Sequence, residues 1–163
     1  MCGIFGTVGT ALSRSDILAA LAALRHRGPD GWGIWTADFD TSAVTAIWPP
    51  DPDRPWPCQT RNLSELERCQ QVLLVNTRLG LCGHGPDSRQ PISAVGQAAI
   101  TFNGEIYNYR KLRSELERDG FAFRSDSDTE VLLAGFLRWG PAVVHRLEGP
   151  FAFVIWDARS RKL

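Results

Sequence analysis

Apolar residues along the chain fall into two rhythms, short β-prone runs and stretches at helical spacing, and their alternation predicts a mixed α and β fold. Ile4 to Val8 is a short run interrupted by glycine, which predicts a buried strand almost at the amino terminus. From Ser15 to Arg27 the residues Ile17, Leu18, Leu21 and Leu24 recur at helical spacing, with Ser13 or Ser15 as N-cap and Gly28-Pro29 as stop. Gly33 to Trp35 and Val44 to Trp48 read as two strands around a turn at Asp38 to Thr41. A short charged helix around Ser64 to Gln71 leads into Val72 to Val75, an unbroken apolar run of the kind buried on both faces of a sheet. Ala98 to Phe102 is a further strand, ended by Asn103-Gly104.

Two helices follow. Leu112 and Leu116 among charged neighbours predict an amphipathic helix from about Tyr109 to Asp119, stopped by Gly120. The next runs from Thr129 to Trp139, with Asp128 as N-cap and Gly140-Pro141 as stop. Pro141 to Arg146 adds a helical turn before the strand Phe151 to Trp156, and Asp157 to Ser160 reads as a hairpin turn. The return strand is begun and left unfinished at Leu163, so the expectation is that the domain continues or that a partner completes the edge. Between the two halves, five prolines from Pro49 to Pro57 fix an extended surface loop.

Composition narrows the functional classes. A chain of 163 residues, 44% apolar, can bury a core and fold as one unit. Eighteen basic residues balance eighteen acidic ones, so no global field attracts nucleic acid or anionic lipid, and neither is an expected partner. Apolar stretches such as Phe151 to Trp156 fall far short of the roughly 20 residues that span a bilayer. The first residues carry no basic region followed by an apolar run, which argues against a secretory signal and for a cytoplasmic protein. Cys2, Cys58, Cys69 and Cys82 contain no C-x-x-C, and His26, His84 and His145 show no metal-ligand spacing. Disulfides are unnecessary in a reducing compartment and no metal is expected.

Cys2 is the most informative residue. Removal of Met1 would leave a thiol and a free α-amino group on one residue, and near neutral pH the amine can take the thiol proton directly or through water. A thiolate attacking an amide needs oxyanion donors, and Asn103-Gly104 at a strand end offers a side-chain amide and a backbone N–H. An amino-acid substrate also needs a cation for its carboxylate and an anion for its ammonium, which Arg78, Glu105 and Asp128 can meet. Each residue alone has a plainer reading. Cys2 is then a small buried strand residue, Asn103-Gly104 an ordinary turn, Arg78 and Glu105 surface charges, and Asp128 only a helix cap.

Together these residues stand in M-C-G-I-F-G, R-H-R-G-P-D-G-W-G, N-T-R-L-G-L, N-G-E-I-Y-N, S-D-T-E-V-L-L and R-L-E-G-P-F-A-F-V-I-W-D, in that order along nearly the whole chain. The set resembles the glutaminase (type-2 glutamine amidotransferase) domain of asparagine synthetase, a member of the N-terminal-nucleophile hydrolases. The resemblance implies an α+β fold, a four-layer αββα sandwich expected here without its last strands, in one glutaminase domain over residues 2–163. It gives Cys2 the role of thioester-forming nucleophile, Asn103 and Gly104 the oxyanion hole, and Arg78 the substrate carboxylate. Glu105 and Asp128 match the ammonium-binding acids, with Leu79 and Leu81 lining the glutamine pocket. The implied partners are L-glutamine and an ATP-dependent synthetase domain or subunit that takes up the ammonia; a homodimer stays open. No cofactor is expected in this domain, ATP and Mg²⁺ belonging only to the synthetase partner, since no Ser-Gly-Gly-x-Asp-Ser pyrophosphate loop occurs here. The chain departs from the family in having Asn76 where His is usual, Pro150 where Met is frequent, and an unusual segment after Leu81. The competing readings are a stand-alone N-terminal-nucleophile amidohydrolase acting on another amide, and a non-catalytic regulatory or assembly module.

Overall fold

Two antiparallel sheets lie face to face, with helices covering the outer side of each. The computed structural model describes residues 2–9, 12–38, 44–47, 71–79, 89–94 and 96–163. The first sheet has the strand order β1-β4-β2-β3, formed by β1 (Gly3–Val8), β2 (Gly31–Ala37), β3 (Val44–Ile47) and β4 (Val72–Arg78). The second has the order β5-β6-β7, from β5 (Ile92–Ala94), β6 (Ala98–Gly104) and β7 (Phe151–Asp157). Helix α1 (Arg14–Leu24) packs on the first sheet, while α2 (Tyr109–Arg118) and α3 (Asp128–Trp139) cover the second. The layers therefore run αββα, as the resemblance implies.

Among the described residues, side-chain alternation along the strands builds three apolar clusters. Leu73 and Val75 of β4 and Trp32 and Ile34 of β2 face α1, where Ile17 and Leu21 are fully buried. Each such helical residue contributes about 1.5–3 kcal/mol of burial. The opposite faces of the same strands supply Val72, Leu74 and Trp35, which meet Ala99 and Trp156 of the second sheet. Small residues permit this close approach: a side chain added at Gly6 would meet Val154 of β7 at 3.2 Å. The third core joins Ile100 and Phe102 to Leu112 and Leu116 of α2 and to the largely apolar α3. Trp32 and Trp35 are thus packing residues, each 4% exposed.

Local signals explain most element ends. Ser13 caps α1 in a reciprocal box: its hydroxyl accepts from the Asp16 N–H at 3.2 Å while the Asp16 carboxylate accepts from the Ser13 N–H at 3.0 Å. Those hydrogen bonds hold the Asp16 carboxyl below its ordinary range. The helix ends at Leu24, earlier than Arg27, and turns through Arg25 to Gly28. Strand β4 runs beyond Val75 to Arg78, and β5, three residues long, carries too little periodicity to be seen in the sequence. Asn103 and Gly104 close β6 and do not form a hairpin turn. The cap of α3 is Ser127, whose hydroxyl accepts from the Glu130 N–H at 3.2 Å; Asp128, expected as the cap, is the first helical residue. A 3-10 helix spans Gly140–Arg146, and Asp157 pairs with Lys162 across the final turn. The expected proline loop at 49–57 and the helix over 64–70 lie outside the described residues. Among the described residues no helix is long and apolar enough to cross a membrane.

Candidate active site

A cleft of about 710 Å³ opens where the first strand of one sheet meets the end of the central strand of the other. Its lining includes Cys2, Arg78, Leu79, Asn103, Gly104, Glu105 and Asp128, which are all the sequence-predicted site residues that the structure describes. Leu81 lies outside the described residues, as do Cys58, Cys69 and Cys82.

Cys2 sits immediately before β1 as a half-buried free thiol. A side chain at Gly3 would meet Leu24 of α1 at 2.9 Å, so alternation places position 2 on the opposite face, toward the second sheet. The backbone here is tied down on both sides. The buried Thr77 hydroxyl accepts from the Gly3 N–H and donates to the Leu24 carbonyl, each at 3.1 Å, and Arg27 Nε donates to the Cys2 carbonyl at 3.2 Å. Arg27 lines the cleft too and was missed in the sequence, although it stands in the R-H-R-G-P-D motif; only the fold shows that it reaches the first residues.

Arg78 ends β4, half-buried, and Gly28 explains how the chain passes beside it. A Cβ at position 28 would collide with the backbone of Thr77 and Arg78, so only glycine lets the turn after α1 cross β4 here. Gly28→Ala is expected to cost about 1–3 kcal/mol through overpacking. The same displacement moves Arg78, so thermal denaturation should show a lower Tm together with a raised KM for the substrate proposed below.

The end of β6 presents the donors. Glu105 N–H bonds to the Pro150 carbonyl at 3.0 Å, which makes the odd-numbered residues the ones that bond across to β7. Gly104 therefore turns its N–H to the other edge, as Phe102 does, where β5 no longer runs alongside. Its φ of +149° and the approach of Pro150 and Phe151 to its missing side chain both require glycine. The Asn103 side chain lies between the sheets, and its Oδ1 is buried with no protein partner among the described residues.

Acidic groups line the same cleft. Glu105 is exposed at the cleft and Asp128 is half-buried in it. Burial strips water from the Asp128 carboxylate and pushes its pKa up, and the Glu105 charge pushes the same way. The Ile106 N–H donating at 3.1 Å and bonds from Thr129 only partly offset this. A carboxylate held in this state gains when a cation arrives. Gln90 completes the floor, with Asn76 buried behind it, and neither was singled out in the sequence as a site residue. Asn76, 1% exposed where His is usual in the family resembled, donates from Nδ2 to Thr101 Oγ1 at 3.2 Å and to the Phe102 carbonyl at 3.3 Å, joining the sheets.

Comparisons with known proteins bear on the family of the chain as a whole. The chain is 32% identical over 173 residues to the protein named putative asparagine synthetase (glutamine-hydrolyzing) of Mycobacterium tuberculosis, covering 100% of this chain and 23% of that relative. It is 48% identical over 75 residues to asparagine synthetase (glutamine-hydrolyzing) 1 of Bacillus subtilis, which takes in 45% of this chain and 12% of the relative. The chain thus spans about a quarter or less of the length of these curated relatives. Among solved structures, a glutamine phosphoribosylpyrophosphate amidotransferase from Bacillus subtilis with ADP and GMP superposes at a TM-score of 0.73 and 25% identity, over 95% of this chain and 35% of that one. Residues 1–46 and 64–163 match the profile described as glutamine amidotransferase domain. By its sequence and its sandwich alike, the chain belongs to the glutamine amidotransferase domain family.

Proposed function

We propose that the cleft hydrolyses the side-chain amide of L-glutamine to glutamate and ammonia through a thioester on Cys2. The ammonia serves an asparagine-synthetase-like, ATP-dependent amidation carried by a domain or subunit other than residues 2–163. The observation that carries the reading is the convergence of a free thiol, a glycine N–H edge, an arginine and two carboxylates on one cleft. Once Met1 is removed, the Cys2 α-amine takes the thiol proton as sulfur attacks the carboxamide carbon. Asn103 Nδ2 and the Gly104 N–H hold the developing oxyanion. The amine then returns the proton to the departing ammonia, and water cleaves the thioester to glutamate and free thiol. Arg78 binds the substrate carboxylate, Asp128 and Glu105 its ammonium, and Leu79 its methylenes. This fixed far end gives preference for glutamine over a plain amide. The asparagine synthetase relatives favour this acceptor over a stand-alone amidohydrolase or a non-catalytic module. A cytoplasmic setting, where thiols stay reduced, suits the proposed nucleophile.

The test compares glutamine, asparagine and an uncharged alkyl amide by ammonia release, with intact mass recorded before and after diazo-oxo-norleucine. Glutamine is expected to exceed the other two by at least about 100-fold in kcat/KM, from loss of one or more charged contacts. One equivalent of the reagent should add to a chain lacking Met1. Equal turnover of all three amides, or labelling away from Cys2, would overturn the reading.

A further inference from the structure

We propose that Gln90 is a positioning residue that sets the oxyanion donors and the ammonium-binding carboxylate at a fixed separation, through a relay of hydrogen bonds across the floor of the cleft. This inference rests on the glutaminase reading above. Strand β5 pairs Ile92 with Ile100 and ends there, so among the described residues β6 has no strand neighbour on that edge at Phe102. The side chain of Gln90, which stands opposite Phe102 in the extrapolated register, takes over. Its Oε1 accepts from the Phe102 N–H at 2.7 Å and from Asn76 Nδ2 at 3.3 Å. Its Nε2 donates to Thr129 Oγ1 at 3.3 Å, and that hydroxyl donates onward to Asp128 Oδ1 at 3.4 Å.

One amide therefore links three elements. Phe102 directly precedes Asn103, Thr129 directly follows Asp128, and Asn76 lies two residues before Arg78. Amide geometry explains why glutamine suits the position: it accepts on the β6 side and donates on the α3 side, from two atoms of one rigid planar group. The two long bonds to Thr129 and Asp128 also orient a carboxylate that burial disfavours when charged. Loss of the donor half should therefore loosen Asp128 alone, while loss of the whole amide should disturb Asn103 and Gly104 as well.

Gln90→Met, Thr129→Val, Thr129→Ser and the double variant Gln90→Met/Thr129→Val are compared in the full chain by glutamine turnover and thermal denaturation. Glutamine affinity is measured in a Cys2→Ala background. Thr129→Val is expected to raise KM about 5- to 10-fold with kcat within twofold, and Thr129→Ser to restore KM. Gln90→Met is expected to raise KM similarly and to lower kcat about 10-fold. The double variant should have a KM no higher than the worse single variant. A purely structural Gln90 would lower Tm without this split between kcat and KM, and that pattern, or multiplication of the two KM effects, overturns the proposal. A wild-type chain that binds glutamine but releases no ammonia defeats the hydrolysis reading separately. The relay is then judged on affinity: about 10-fold weakening by Gln90→Met supports it, and unchanged affinity overturns it. Absence of glutamine binding in every variant overturns both.

Discussion

Cys2→Ala should lower glutamine hydrolysis by about 10⁴- to 10⁶-fold, the loss expected when a covalent nucleophile is removed from an otherwise intact site. Affinity for glutamine should stay within a few-fold of the wild-type KM, because in the proposed site Arg78, Asp128 and Glu105 hold the other end of the substrate. The fold should survive as well. Position 2 precedes β1, and the bonds that fix the first strand run from Gly3 and from the Cys2 carbonyl, all of which alanine keeps. A chain that retains Met1 is expected to lose activity to a similar extent with its thiol intact, since its cysteine nitrogen is then an amide without a basic lone pair. Ammonia release measured beside intact mass distinguishes the two failures. Undiminished turnover in either protein would sink the mechanism.

Asp128→Asn is expected to cost about 2–5 kcal/mol in kcat/KM, roughly 30- to several-thousand-fold, most of it as raised KM, because it removes the better buried of two carboxylates facing an ammonium. Stability should move the other way. The folded-state pKa of Asp128 lies above the ordinary value of 3.8, chiefly because burial penalises its charge. The native state consequently binds that proton more tightly than the unfolded chain does. The stabilisation this gives is present at low pH and is lost as pH rises through the raised folded pKa. At pH 7 the ionised carboxylate weighs against the unliganded fold, so Asp128→Asn should leave Tm unchanged or higher. In the proposed role glutamine binds the ionised form, so in the wild type KM should climb on acidification at a pH above 3.8. Asp128→Asn should flatten that climb. Paired Tm and pH–KM profiles test both signs, and a lower Tm with an unaltered pH dependence would count against the role.

Local chemistry made much of this legible in advance. Ser13 with Asp16 marks the start of α1, the run Val72 to Val75 marks a doubly buried strand, and the residues singled out by motif line one cleft where the structure describes them. What stayed hidden depends on pairing between distant segments. Ser127 and Asp128 are both good caps, but the Asp128 carboxylate accepts from the Ile106 N–H, supplied by the segment between β6 and α2, while the serine caps α3. Gln90 belongs to no periodic pattern; its importance comes from standing opposite Phe102 where β5 stops. Arg27 likewise sits only three residues beyond the end of α1, yet its partner is at the opposite end of β1's approach, 25 positions earlier.

The polar clasp at Asn76 and Thr101 has a mechanical meaning. It fastens the two halves of the sandwich at the end that holds the thiol, and the Thr101 hydroxyl passes the fastening on to the Val75 carbonyl at 3.1 Å. Prising the layers apart there would strand three dry polar groups at once. The fastening lies beneath the cleft rather than across it, so the two sheets are held in register on the side where the thiol stands.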